Sequence, residues 1–275
     1  MLLPLYDLPN WLMGLTIIGT IVVLTYAGYF LFHRLLRQEF SDNHKSVAMS
    51  VLGIVATVNS LLLAFSAVSV WDAFSSADEA VMQEANTIGA LARDLAVFES
   101  PEAEHARDLL RRYAETVIAE EWPDMQRGEA NLQAWNAFDD TFVAMAALDV
   151  DTTRHEVLLG EIFQRSKELL QQRRTRLYTA ESEVPGTLWA VVLIGTILSL
   201  VTTFVLEPTR FHIAMIGMLA LSVGLVFYFI IAMDRPFAGK ESISPAPFQS
   251  ALANMQRWDA RAGAARSSLG KLQLR

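Results

Sequence analysis

Four stretches of the chain carry no charged side chain and are dominated by Leu, Ile, Val, Ala and Gly: Trp11 to Phe32, Ser46 to Trp71, Thr187 to Leu206 and Phe211 to Met233. Each holds about 20 residues or more, enough for a helix to cross a hydrocarbon core of about 30 Å. In lipid the backbone must satisfy its own hydrogen bonds, so each stretch predicts a transmembrane helix. Trp11, Trp71 and Trp189 lie near the ends of these stretches, where amphipathic rings anchor at the membrane interface. The first ten residues hold no Lys or Arg and no small-residue cleavage site follows the first apolar run, which argues against a cleaved signal peptide.

The block from 73 to 186 reads differently. Gly and Pro are sparse there and Ala, Leu, Glu, Arg and Gln are common, a helix-forming composition. Its punctuation predicts helices over about 74–98, 101–121, 130–148 and 153–183. Ser100 with Pro101 reads as an N-cap followed by proline in the first turn. Trp122-Pro123 predicts a stop, Thr153 with Glu156 fits a capping box, and Pro185-Gly186 separates this block from the third span. No strand-like alternation competes. The expected fold is an all-α membrane protein with four transmembrane helices, 1–72 and 187–233 supplying two each, and an extramembrane helical domain over 73–186. Residues 234–275 form a C-terminal segment whose end is small and basic and reads as an unstructured tail.

Between Ser46 and Phe98 there is no proline and only two glycines, Gly53 and Gly89. The second span is therefore expected to run unbroken into the extramembrane block, on the order of 80 Å at 1.5 Å per residue. A helix of that length needs packing partners along both halves, and neighbouring subunits are one source.

Composition refines this picture. Hydrophobic residues make up 52% and charged residues 19%, below the roughly 25% charge of soluble domains, as expected when part of the chain is dissolved in lipid. The formal net charge is -8, which argues against a nucleic-acid binder. The acidity is local: Phe74 to Gly186 holds 11 Lys and Arg against 22 Asp and Glu, a formal -11. There is no cysteine, so disulfides, thiolate nucleophiles and cysteine-ligated metals are excluded. The positive-inside rule is nearly balanced. Arg34, Arg37 and Lys45 flank one side with Arg210, whereas Arg173, Arg174, Arg176, Arg235 and Lys240 flank the other.

Enzymatic signatures are missing. None of the five histidines forms HExxH, and no GxSxG, P-loop or GxGxxG occurs. No catalytic set, cofactor or metal site is expected. Glu120-Glu121 and Asp139-Asp140 are adjacent on helical segments and so point about 100° apart. Both pairs read as solvated surface. Asp149 and Asp151 lie in a predicted loop but lack the rest of a calcium loop.

Polar residues inside the second span carry more information, because they usually face protein or water. Asn59, Ser66 and Ser69 fall on one stripe with Leu62 between them. That stripe reads either as a pore lining, with Leu62 or Phe65 as an apolar constriction that gates by dewetting, or as a helix–helix interface. Trp71, Asp72, Asp78, Glu79 and Glu84 follow and would form the mouth of such a pore. Acidic rings there attract cations. No acid or base sits mid-membrane in any span, which argues against proton-coupled transport.

Two segments, LLLAFSAVSVWDAFSSADEAVMQEANTIGALARDL at 61–95 and DRPFAGKESISPAPFQSAL at 234–252, resemble a bacterial family known as bestrophin-like. The resemblance runs from about Leu12 to Leu252. It rests on the spacing of Trp71-Asp72, Glu84-Ala85-Asn86 and Asp234-Arg235-Pro236-Phe237. Bestrophins, which are more distantly similar, are oligomeric anion channels with four membrane helices per subunit, a helical domain below the membrane and a second helix lining a neck. There an aromatic-Asp-Arg-Trp-type motif follows the neck; here Ala73 and Phe74 follow Trp71-Asp72. Their acidic calcium clasp is not recognisable in this chain. The resemblance implies a homo-oligomeric ion channel, pentameric by analogy, in the inner membrane, with lipid and inorganic ions as partners and with the domain and both termini cytosolic. It also implies that Asn86, Asp234, Arg235, Pro236 and Phe237 form an interface. Arg235 would reach a lipid phosphate or a neighbour's acid, or simply snorkel beside a helix stop at Pro236. The other expectation is a non-conducting membrane scaffold or sensor, in which the long helix transmits motion to the acidic domain.

Overall fold

The structure, a computed structural model, describes residues 3–36, 40–129, 131–181 and 184–273. Among these residues all regular structure is helical, with no strand. The chain forms two compact units.

The first unit comprises residues 1–74 and 182–241. It contains α1 (Leu3–Tyr6), α2 (Asn10–Leu36), the N-terminal half of α3 (Asp42–Phe98), α8 (Gly186–Thr202) and α9 (Arg210–Met233). Among the described residues of the chain, four helices are long and apolar enough to cross a membrane. The core of this unit gathers Met13, Ile17, Leu63, Val70, Val192, Phe227, Ile230 and Ala232. Glycines let the helices approach, as small residues do in membrane bundles. A Cβ on Gly224 would lie 3.2 Å from the Ile18 backbone, and one on Gly28 3.2 Å from the Phe204 ring.

Both ends of the unit are closed by polar contacts. At one end the Tyr29 hydroxyl donates to the Leu206 carbonyl at 2.8 Å, and Lys45 pairs with Glu207 at 2.5 Å. The salt bridge holds the Glu207 carboxyl below the usual glutamate range and the Lys45 ammonium above its own. At the other end the Tyr6 hydroxyl donates to the Ile231 carbonyl at 2.7 Å, and Asp234 accepts from the Val184 amide at 2.9 Å.

The second unit comprises residues 75–181 and 242–275. It contains the rest of α3, α4 (Pro101–Thr116), α5 (Trp122–Arg127), α6 (Leu132–Ala146), α7 (Thr153–Glu181) and α10 (Ala246–Gln273). Ser100 caps α4 as expected, its hydroxyl accepting from the Ala103 amide at 3.1 Å. Two boundaries differ from the sequence reading. The cap of α7 is Thr152, which accepts from the His155 amide at 3.2 Å, one residue before the capping box placed it. Trp122-Pro123 does not stop the chain: a π-helical turn over Val117–Glu121 carries it into α5, which ends at Gly128 with φ +73°. The backbone stays right-handed helical through Glu121 and Trp122, and the Trp122 amide reaches back to the Val117 carbonyl, so the proline is passed at a π-helical turn within a continuing helix.

A third difference concerns the C-terminal segment. Where an unstructured tail was expected after Leu252, the chain continues in α10 (Ala246–Gln273). Its N-terminal half is part of the second unit, with Phe248 and Met255 buried and Asp259 bound to Arg111 at 2.6 Å. The Trp122 indole also donates to the Ile243 carbonyl at 3.3 Å.

Candidate functional site

The membrane half of α3 has two faces. Asn59, Leu63, Ser66 and Val70 are buried, recurring at the three- and four-residue spacing of a helix stripe. The opposite face is Ile54, Val58, Leu61, Phe65 and Val68, each more than half exposed, with Phe65 at 66%. Ser69, Trp71 and Asp72 are exposed as well.

The polar stripe of the sequence is thus divided. The Asn59 amide donates to the Thr196 hydroxyl of α8 at 3.2 Å, and the Ser66 hydroxyl returns to the Leu62 carbonyl of its own helix at 2.9 Å. A Cβ on Gly195 would lie 2.9 Å from the Asn59 Cγ, so glycine is what admits Asn59 to this contact. Leu62 packs at the edge of the core. Asn59 and Ser66 therefore serve the helix–helix interface, and Leu62 supports it. Phe65 and Ser69 belong to the outward face. The Asn59 amide nitrogen and the Ser66 hydroxyl thus find partners on α8 and on the helix backbone, whereas the Asn59 Oδ1 is buried with no hydrogen-bond partner among the described residues.

Among the mouth candidates, Glu79 is exposed and accepts from the Gln83 amide at 2.8 Å, and Asp78 is half-buried. Glu84 departs from the expectation. It is fully buried in the second unit, where Arg176 reaches it through Nε at 2.7 Å and Nη2 at 3.2 Å and the Tyr113 hydroxyl donates to it at 2.5 Å. Enclosed in this way, it cannot face a lumen.

Glu84 belongs to a buried ionic cluster that the sequence reading missed. Glu121, set in the π-helical turn, accepts both terminal nitrogens of Arg173 at 2.9 and 2.5 Å. It also accepts Nη2 of Arg176 at 2.6 Å. All four charged side chains are at most 1% exposed. The guanidiniums are sandwiched by rings, Arg173 over Trp135 and Tyr113, Arg176 over Trp122 and Phe248. Burial opposes the charged form of Arg176, but Glu84 and Glu121 outweigh it and hold its pKa above the ordinary arginine value. Burial, then the Glu84 charge, pushes the Tyr113 hydroxyl above the usual tyrosine range. Two cations and two anions cancel, which is how the core accommodates them.

This cluster corrects two further readings. Glu121 is not solvated surface. Arg173 and Arg176 are not free flanking cations, and only Arg174 of that trio is exposed, so the orientation argument from this flank loses two charges. Asp149 and Asp151 are exposed, and no group of three His, Asp or Glu capable of holding a metal occurs among the described residues.

The DRPF motif closes the first unit. Pro236 and Phe237 are buried, Arg235 is half-buried, and its carbonyl accepts from the Ala238 amide at 3.1 Å. Gly239 then turns with φ +83°, where a Cβ would lie 3.2 Å from the Tyr6 ring. Asn86 lies in the second unit and is exposed.

The sequence profile of the bestrophin-like domain matches residues 19–248. The chain belongs to the bestrophin-like family. Two solved structures share the fold. One is a crystal structure of a membrane protein, a point variant, at TM-score 0.65, 11% identity, with 88% of this chain and 97% of that chain covered. The other is a bacterial bestrophin homologue from Klebsiella pneumoniae, also a point variant, at TM-score 0.64, 11% identity and the same coverage. At that identity the likeness establishes the fold. No curated protein sequence matches the chain significantly. With its apolar helices and its bestrophin-like fold, this is a membrane protein.

Proposed function

We propose that the chain is the subunit of a homo-oligomeric ion channel in the inner membrane, with the outward face of α3 lining the pore. The reading is supported by the two faces of α3. One is committed to its own unit through Asn59, Leu63, Ser66 and Val70, and the other presents Val58, Leu61, Phe65 and Val68 to whatever surrounds the subunit. Membership of the bestrophin-like family supports assembly of that second face around an axis. Rings of Phe65 and Leu61 would form a dry constriction, which conducts only when wetted. Ser69 continues the lining, and Trp71, Asp72, Asp78 and Glu79 follow at its mouth. The second unit and both termini are placed in the cytosol in this proposal, and no substrate turnover is involved. Asp72 and Glu79 add negative charge at the mouth, which favours cations over anions there.

The test is ion flux through the protein reconstituted in vesicles. Replacing Phe65 with Ala widens and wets the constriction, so the expected result is a higher conductance. Absence of flux from the wild-type protein under every ionic gradient would overturn the channel reading and leave the scaffold. Unchanged currents in Phe65→Ala would remove Phe65 from the pore.

A further inference from the structure

Two surfaces of the second unit are unused by the fold. The first is a cleft of about 720 Å³ between α3 and α10. Its floor is small and apolar, with Ala85, Gly89, Ala92, Ala251 and Met255, and Trp258 is 42% exposed at its edge. Its rim carries Arg93, Arg107, Arg257 and Arg261, and no Asp or Glu lines it. Arg107 is neutralised from behind by Asp259. Arg93 stacks on the Trp258 ring at 5.8 Å, and Arg257 and Arg261 make no ion pair among the described residues. A cationic cleft thus forms where α10 packs on α3, whose block from Phe74 to Gly186 has a formal charge of -11.

The second surface is the outer face of α6. Leu132 is 76% and Val143 66% exposed, and Asp139 and Asp140 lie exposed between them. Neither acid has an ion-pair partner among the described residues. These positions follow the spacing of one helix face, apolar at both ends and acidic in the middle. Met82 to Arg93 along the cleft and Leu132 to Val143 along α6 each span eleven residue steps, about 16 Å of helix.

We propose that α6 of one subunit lies in the α3–α10 cleft of the next. This inference rests on the homo-oligomeric reading above and deepens it by naming the cytosolic contact. Leu132 and Val143 seat on the apolar floor, and Asp139 and Asp140 meet the guanidiniums of Arg257, Arg261 and Arg93. An amphipathic helix laid into an apolar groove is a recurrent recognition mode. Charge complementarity selects the acidic helix and orients it. The two surfaces differ and sit on different elements, so the contact is heterologous. Such contacts close into rings when the rotation allows, which is the assembly a central pore needs.

The chain has no cysteine, so introduced pairs report without background. In full-length protein in lipid nanodiscs, Asn136→Cys and Asn254→Cys, both at exposed mid-surface positions, should together give a covalent ladder above the monomer on oxidation. Either substitution alone should give none. Asp139→Lys with Asp140→Lys, or Arg257→Glu with Arg261→Glu, should each raise the half-dissociation concentration at least about tenfold, and the quadruple variant should restore it to within about threefold. A wild-type protein that is monomeric would overturn the oligomeric reading itself. An oligomer that neither cross-links through this pair nor responds to charge reversal would overturn this interface alone. A ladder from Asn136→Cys by itself would place α6 against its own counterpart and also refute it.

Discussion

Removing Arg176 tests whether the buried cluster is a mutually dependent unit. In Arg176→Ala, Glu84 loses both of its guanidinium bonds and Glu121 loses one of three, while the carboxylates stay in a core from which water is excluded. Breaking a buried pair by deleting one partner costs about 3–5 kcal/mol, because a charge remains uncompensated. For a structure of this size about 1 kcal/mol moves the melting temperature by roughly 2–4 °C. The expected drop is therefore on the order of 6–20 °C. The control is Arg174→Ala, an exposed neighbour on the same helix, for which a surface substitution should stay within about 0.5 kcal/mol. The assay is a melt of the full chain in detergent, read by near-ultraviolet circular dichroism, because Trp122 and Trp135 lie against the two guanidiniums. Glu84→Gln should recover part of the loss in the Arg176→Ala background, since it removes the orphaned charge. If Arg176→Ala melts with Arg174→Ala, or if Glu84→Gln adds its full cost to it, the cluster is not coupled and the account given above is wrong.

Gly195→Ala places a methyl against the Asn59 side chain, whose Cγ would be 2.9 Å away. Overpacking of this kind costs about 1–3 kcal/mol, whereas Gly19→Ala, inside α2 with nothing within 4 Å, should hold the melt or raise it by the roughly 0.5–1 kcal/mol that alanine gains over glycine in a helix; equal melts would deny the close approach of α3 and α8. The Lys45–Glu207 bridge stabilises the contact between the start of α3 and the α8–α9 connection above the ordinary glutamate range, because the folded pKa of Glu207 is depressed, and that contribution is lost as pH falls through the folded value. On the alkaline side it persists until pH rises through the raised Lys45 value. Wild type and Glu207→Gln should therefore differ in melting near neutral pH, converge on acidification, and converge at high salt because the pair is exposed. A gap that survives both conditions would refute the assignment.

Much of the fold was legible in residue order. Charge-free runs of membrane length predict spans because lipid tolerates little else, and the proline-free stretch from Ser46 to Phe98 predicted the continuous α3. Ser100 named its own helix start. These are local signals, set by the chemistry of a residue and its near neighbours. The bestrophin-like family was also readable from the sequence, through Trp71-Asp72, Glu84-Ala85-Asn86 and the DRPF segment.

Tertiary structure decided which polar groups are spent inside the subunit. Asn59 has the same sequence signature whether it faces a lumen or a neighbouring helix, and only Gly195 and Thr196, more than 130 residues away, resolve it. Glu84 and Arg176 are 92 residues apart, and Glu121 and Arg173 are 52 apart. No spacing rule relates residues that meet only when helices pack, so Glu84 read as a mouth acid and Arg173 and Arg176 as flanking cations. The chain after Leu252 read as unstructured because a small, basic composition says nothing about docking, whereas Asp259 finds Arg107 and Arg111 of α4. Sequence determines where helices form and which are apolar enough for lipid, because those depend on local bonding and side-chain solvation. Packing determines which of two chemically equivalent faces is buried, because burial is a property of what lies opposite.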